Sequence, residues 1–485
     1  MKIAHISAEC TPLIKVGGLG EVVGGLTKAL DKDTILILPK YRYLKIEKIK
    51  NLRIFKKNLL VSTKKGHIKT NIYKGYINNI EIYLIDPKNQ YFEKKRVYGY
   101  KIDIEKFLFF SKASCLLLKE LGDIDIAHIH DWHVAFMAPI IKENLVKTKV
   151  KKVVLSIHNL GYQGICRIGD VDKIGYDGKY FLDKNKLKHY EGKIKLNLLK
   201  GGIVYSDFII PVSNAYAKEI LNNIHGGRLS EILQTKKNKI KGIVNGIDSK
   251  SWNPEFDEFL FHKFSKKMPP EKLIKIKEEN KKFLIEKFHL HKGEKPLIGY
   301  IGRLVVQKGP KIIKHAIKKT LSENGRFVLL GTPLDTQSKK IFKNTKHRYA
   351  KSKNAVIDFS FNEKLSHQLF AALDFIIIPS LFEPCGLTQL IAFKYGVMPI
   401  VRKTGGLSDT VFDIDSSKEK NGFTFNNFST EDFDKTLERA LHFFKNKKEE
   451  FYKIIHKNMF LDYTWETISK EYVKIYKKLI KQKTF

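Results

Sequence analysis

The sequence predicts an α/β protein of two doubly wound domains, in which parallel sheets are covered by helices on both faces. Three observations carry this prediction. At 485 residues the chain exceeds one ordinary core, and domains of about 100 to 250 residues make two the natural number. Short β-rich runs alternate with amphipathic helical stretches along the whole chain, as they do where helices cover a parallel sheet. Polar, glycine-bearing segments follow directly on several apolar runs, at the strand ends where open parallel sheets bind ligands.

The first series of strands is expected at Ile3 to Ser7, Ile35 to Leu38, Ile80 to Ile85, Ile126 to His130, Val153 to His158 and Phe208 to Pro211. Between the first two, Glu21 to Leu30 reads as a helix entered through Lys15-Val16-Gly17-Gly18-Leu19-Gly20. Glycines let that loop approach an anion closely, and the amides opening the next helix point outward with a favourable dipole. It is not a dinucleotide fingerprint, because Val23 stands where the third glycine of G-x-G-x-x-G belongs. Asn245-Gly246-Ile247-Asp248 and Trp252-Asn253-Pro254, followed by a lysine-rich helical stretch to about His289, read as an interdomain connection. The second series is expected at Leu297 to Ile301, Phe327 to Leu330, Ala355 to Phe359, Phe375 to Pro379 and Met398 to Val401. A last amphipathic helix, Trp465 to Ile480, has no strand after it and is expected to pack back on the first domain.

A formal charge of +38 suggests a nucleic-acid partner, since basic surfaces attract phosphates of any sequence. The kind of cation argues otherwise. Only 10 of the 89 cationic side chains are arginine, the group shaped for bidentate phosphate and base contacts. The lysines are spread over helix-like segments such as Lys272 to Lys287, as on solvated faces. Cys10, Cys115, Cys166 and Cys385 form no C-x-x-C pair, which speaks against a zinc site or a disulfide framework and for a reducing compartment. The chain enters a strand at once without a leader-like pattern, and no apolar run reaches the ~20 residues that span a bilayer. A cytoplasmic protein without a membrane partner is expected.

The strand ends hold the chemistry. His130-Asp131-Trp132-His133 and His158-Asn159-Leu160-Gly161-Tyr162-Gln163-Gly164 close two strands of the first series, and two such clusters at equivalent ends indicate a shared site. In the second series Gly302-Arg303-Leu304-Val305-Val306-Gln307-Lys308-Gly309 sets a guanidinium and an ammonium five positions apart around a turn. Paired cations suit a departing diphosphate; a structural ion pair is the plain alternative. Phe382-Glu383-Pro384-Cys385-Gly386-Leu387-Thr388-Gln389-Leu390 has a fixed turn, with Glu383 expected at the rim as an acceptor for sugar hydroxyls and the amides of Gly386, Leu387 and Thr388 over an anion. Thr404-Gly405-Gly406-Leu407-Ser408-Asp409-Thr410 is a further glycine turn opening a helix.

Taken in this order, the segments resemble those of the bacterial glycogen synthases and plant starch synthases, retaining glucosyltransferases of the GT-B fold. The match runs from about residue 3 to the C-terminal helix, with the Glu383 segment its most specific part. The resemblance implies an acceptor-side Rossmann-like domain at 1–248, a connection at 249–290, a nucleotide-sugar domain at 291–462 and a returning helix at 463–485, the two domains facing a central cleft. It implies glucose transfer from ADP-glucose, or alternatively UDP-glucose, to the non-reducing 4-hydroxyl of an α-1,4-glucan with retention.

Carried onto matching positions, the catalytic residues would be Asp131, His158, Arg303, Lys308 and Glu383. The nucleotide sugar would meet Lys15, Gly17, Gly18, Asn245, Arg303, Lys308, Phe361, Glu383, Cys385, Gly386, Leu387 and Thr388, and the acceptor Glu9, Asp131, Trp132, His133, Asn159, Tyr162 and Gln163. No metal or cofactor is implied. Ile391 stands where many retaining relatives carry a second, ribose-binding glutamate, and Phe361 where some members have tyrosine, which keeps a stacking face and loses a hydroxyl. Glu21 replaces a loop aspartate. No residue is an obvious covalent nucleophile, so the acceptor is expected to enter on the face the diphosphate leaves, and domain closure to exclude water. A pyridoxal-dependent glucan phosphorylase and an inactive basic glucan-binding protein are the other readings considered.

Overall fold

The structure is a computed structural model that describes residues 1–30, 33–190, 194–360, 362–415 and 419–482. Its internal contacts divide the chain into two units, Met1–Gly246 with Trp465–Phe485, and Ile247–Thr464.

Among the described residues, the first unit has ten strands: β1 Ile3–Ile6, β2 Thr34–Pro39, β3 Lys50–Thr63, β4 Gly66–Ile77, β5 Ile80–Pro87, β6 Asp123–His130, β7 Lys149–Ile157, β8 Ile165–Arg167, β9 Lys195–Asn197 and β10 Phe208–Pro211. Eight of them form one sheet in the order β10-β7-β6-β1-β2-β5-β4-β3. From β10 to β5 every neighbour is parallel, and these strands are runs of buried Ile, Leu and Val, as expected where helices cover both faces. The far edge departs from the all-parallel expectation. β4 runs antiparallel to β5 and β3 antiparallel to β4, with bulges between Lys50 and Leu59. Most of β3 faces solvent, so this edge needs no second helical layer.

The helix Trp465–Lys481 belongs to this unit. Its Trp465, Tyr472, Tyr476 and Leu479 share a buried cluster with Ile3, Val22, Leu26 and Ile126. Gly25 makes the approach possible, since a Cβ there would lie 2.0 Å from the Trp465 indole nitrogen.

The second unit carries β11 Leu297–Ile301, β12 Arg326–Leu330, β13 Ala355–Asp358, β14 Phe375–Ile378, β15 Met398–Arg402 and β16 Phe423–Phe425, parallel in the order β13-β12-β11-β14-β15-β16. Its core joins Ile298, Phe327, Phe375 and Ile400 of the sheet to Phe433, Phe443 and Phe451 of the later helices. Residues 249–290 lie within this unit. The helix Pro270–Lys287 is fastened by Lys277, whose buried Nζ donates to the carbonyls of Tyr395 at 2.9 Å and Ala371 at 3.1 Å. Among the described residues, no helix is long and apolar enough to cross a membrane.

Candidate active site

After β1 the chain turns through the glycine loop into the helix Gly18–Leu30. Two kinds of glycine occur here. A Cβ at Gly17 or Gly18 would meet nothing within 4 Å, whereas one at Gly24 would strike Thr11 at 2.3 Å. Packing explains Gly24 and leaves the open space beside Gly17 and Gly18 for a ligand. Two amides that precede the helix are taken up by the chain's own carboxylate: Glu9, 2% exposed, accepts from the N–H groups of Val16 and Gly17 and from the Tyr98 hydroxyl at 2.6 Å. Lys15 is exposed and pairs with Glu21. Glu9, expected on the acceptor side, thus acts as the inner tether of the loop. Glu9→Ala is expected to cost about 2 kcal/mol, the penalty of leaving buried polar groups unmatched, and to lower Tm in thermal unfolding.

β6 delivers His130 and then Asp131, whose φ of 59° places a non-glycine residue in the left-handed region. Such strain persists where the surroundings fix the residue. Here the Asp131 Oδ1 accepts from the backbone N–H of His158 at 2.7 Å and of Asn159 at 3.4 Å. Desolvation pushes the buried Asp131 carboxyl up to about 7, against the pull of those two amides and with the charge of Glu9 adding to the rise.

Behind Asp131 lies a set of histidines. His5 Nδ1 meets His130 Nε2 at 3.0 Å, and His130 Nδ1 meets His158 Nε2 at 3.1 Å. His128 is held by the Tyr476 hydroxyl at 2.6 Å and the Ser156 hydroxyl at 2.7 Å, and stacks on His130 with ring centroids 4.3 Å apart. Burial lowers His5 and His158 to about 3 and takes His128 and His130 well below the ordinary imidazole range. His5, His128 and His130 stand close enough together to share an ion. Of their six ring nitrogens, only His5 Nε2 lacks a hydrogen-bond partner among the described residues, so a metal would have to break the hydrogen bonds that order the rings. His5 and His128 escaped the sequence reading. The signal was there: His5 pairs in register with His128, and His128 and His130 are two apart on one strand, which puts all three on one face.

The loop after β7 is mixed in character. Asn159 uses its Oδ1 to accept the Gly161 N–H at 2.9 Å. Gln163, expected to meet acceptor, is committed at both ends, donating to the Gly227 carbonyl at 2.7 Å and accepting from Asn197 at 2.6 Å. His133, expected to meet acceptor, is 8% exposed and packs against Tyr98 and Phe107. Trp132, Tyr162, which is 66% exposed, and Arg228 help line an open cavity of about 480 Å³ with the Gln163 segment. Asn245 is buried.

In the second unit, β11 leads into Arg303 and the short helical turn Val306–Lys308. Arg303 is exposed and has no ion-pair partner among the described residues. Lys308 pairs with Glu383, which also accepts from the Ser380 hydroxyl at 2.8 Å. Glu383 was expected at the rim; it is 6% exposed, and its carboxylate fixes the lysine. The two glycine turns of this unit support each other. Gly406 N–H donates to the Glu383 carbonyl at 3.1 Å, and a Cβ on Gly405, at φ 47°, would lie 2.1 Å from that oxygen. Gly386 is at φ 79°, with the Gln389 amide donating at 3.1 Å to the carbonyls of Cys385 and Gly386. Cys385 is buried, while Leu387 and Thr388 are half-buried where the helix Thr388–Lys394 starts. Phe361 lies outside the described residues.

Two doubly wound units, one ending its strands in buried His and Asp and the other in Arg, Lys and Glu, define a glycosyltransferase of the GT-B class. Residues 2–235 match the family model described as the starch synthase catalytic domain, and residues 281–457 that of glycosyl transferases group 1. The chain is 38% identical to a glycogen synthase of Protochlamydia amoebophila over 98% of its own length and 99% of the relative's. It is 37% identical to a glycogen synthase of Finegoldia magna, over 99% of this chain and 100% of that one. Among solved structures, the catalytic domain of starch synthase IV from Arabidopsis thaliana, bound to ADP and acarbose, superposes with a TM-score of 0.92 at 35% identity, covering 99% of both chains. The chain belongs to the glycogen synthase and starch synthase family. The matched relatives are synthases, which leaves the phosphorylase and binding-only readings without support.

Proposed function

We propose that the protein transfers glucose from ADP-glucose to the 4-hydroxyl at the non-reducing end of an α-1,4-glucan, with retention of the anomeric configuration. The observation that carries this reading is the full-length likeness to glycogen synthases joined to the ADP-bound starch synthase structure. The second unit supplies the donor side. Arg303 and Lys308 stabilise the charge that grows on the departing diphosphate, where preorganised cations act most strongly. Glu383 orients Lys308 before substrate arrives. The first unit supplies the acceptor side, with Asp131 beside the attacking hydroxyl and Tyr162 offering an exposed ring on which a sugar face can rest. His158 meets the transferred glucose. The four free, buried cysteines suit a reducing compartment, and we place the enzyme in the cytoplasm.

Initial rates with glycogen and equal concentrations of ADP-glucose or UDP-glucose test the reading. ADP-glucose should be the faster donor, and the new linkage should be α. Faster transfer from UDP-glucose would overturn the donor assignment. Binding of both substrates without turnover would overturn the activity.

A further inference from the structure

We propose that His5 and His130 are positioning residues that fix the tautomer of His158, so that His158 offers an N–H donor from Nδ1 at the open end of a three-imidazole chain. The chain runs His5 Nδ1 to His130 Nε2 at 3.0 Å, then His130 Nδ1 to His158 Nε2 at 3.1 Å. Each neutral imidazole carries one N–H and one lone pair. The three rings therefore share one direction: reversing any bond reverses both. Burial holds all three neutral, which keeps a second proton out of the chain.

The inner end selects the direction. There, His5 Nε2 is buried and meets no partner. If protons pointed inward, that atom would be a stranded N–H, the kind of orphan that folded proteins avoid most strictly. If they point outward, only a lone pair is left unmatched. At the outer end Asp131 accepts from the His158 backbone N–H at 2.7 Å, which fixes the backbone that carries the last ring. His158 is half-buried and its Nδ1 makes no hydrogen bond among the described residues, so this end is free to meet a ligand. His128 braces the middle ring: it stacks on His130 while Tyr476 and Ser156 hold both its nitrogens.

The link from tautomer to transfer rests on the proposed function, in which His158 meets the glucose; the tautomer itself does not. The test is nitrogen NMR of protein labelled at histidine, with the His158 signals assigned by their loss in His158→Gln. Expected in the wild type is a pyrrole-type shift at His158 Nδ1 and a pyridine-type shift at Nε2. The reverse pattern, an average of both tautomers, or an imidazolium at neutral pH would overturn the proposal, and this wild-type spectrum, assigned with a folded His158→Gln, decides whether or not the His130 variants fold. In His130→Asn the amide nitrogen takes the place of Nδ1 and keeps a donor toward His158, so spectrum and kcat/KM should stay near wild type. His130→Leu should give mixed His158 tautomers and lower kcat/KM about tenfold, the worth of one well-placed hydrogen bond. A folded His130→Leu with mixed tautomers and unchanged kcat/KM would end the positioning role while leaving glucosyl transfer intact. A wild type with the expected tautomer but no transfer would instead end the proposed function alone.

Discussion

Lys308→Ala is expected to lose roughly 100- to 1000-fold in turnover, the usual cost of removing one preorganised group that meets charge developing in the transition state. Stability falls as well, for a reason the structure supplies. Glu383 is 6% exposed, and Lys308 is its only cationic partner among the described residues, with the Ser380 hydroxyl as its other bond. Deleting the lysine strands a buried carboxylate, which costs about 3 kcal/mol where an ion pair is broken from one side. The two losses are separable. Lys308→Ala combined with Glu383→Gln removes the stranded charge and should regain most of the stability without regaining turnover. Steady-state rates and urea unfolding on both variants make the comparison. Near-normal turnover in a folded Lys308→Ala would remove this lysine from the mechanism.

Asp131→Asn is expected to lower turnover about 100-fold at pH 8, within the range for a positioned acid–base group, and to erase an acid limb of the pH profile. Desolvation raises the Asp131 carboxyl from 3.8 to about 7. Activity that needs the carboxylate therefore rises through about pH 7 in the wild type and lacks that step in the variant. Stability moves the other way. Between about pH 4 and pH 7 the folded chain holds a proton that the unfolded chain has released, so the folded state loses stability as pH rises through this window and levels off above it. Urea unfolding at pH 4.5 and pH 7.5 should show the Asp131 contribution to this decline in the wild type and its loss in Asp131→Asn. Equal pH dependence in the two proteins would mean that Asp131 is ionised at all these values.

How much could be seen beforehand depended on whether a feature is local. Phe208–Pro211 and Leu297–Ile301 were legible to the residue, because a buried parallel strand is an unbroken apolar run between turn residues. The hairpin Lys50–Thr63 and Gly66–Ile77 was not. Most of Lys50–Thr63 faces solvent, so its lysines and leucines show no period of two. Phe423–Phe425 is three residues long and sits below any periodic signal. In the site, the His130 and His158 clusters, the Arg303–Lys308 turn and the Glu383 turn were visible as polar runs at strand ends. Their partners were not. Glu9 reaches the Gly17 amide across a loop, Lys308 finds Glu383 75 residues away, and His5 joins His130 only through strand register. Fold-dependent pairings of this kind leave no mark on either residue alone.

The chain leaves the first unit at Gly246 and returns to it at Trp465. Proteins of this size commonly fold domain by domain as the ribosome extends them, beginning at the N-terminus. That order is closed to this one. While the nascent chain is still attached through residues 247–464, the first unit lacks Trp465, Tyr472 and Tyr476, and the strand carrying His128 has no hydroxyl to receive its Nδ1. The second unit is contiguous and can complete itself first, although it is made later. The first unit must wait, partly open, until the residues of the helix Trp465–Lys481 have been made and can return to it.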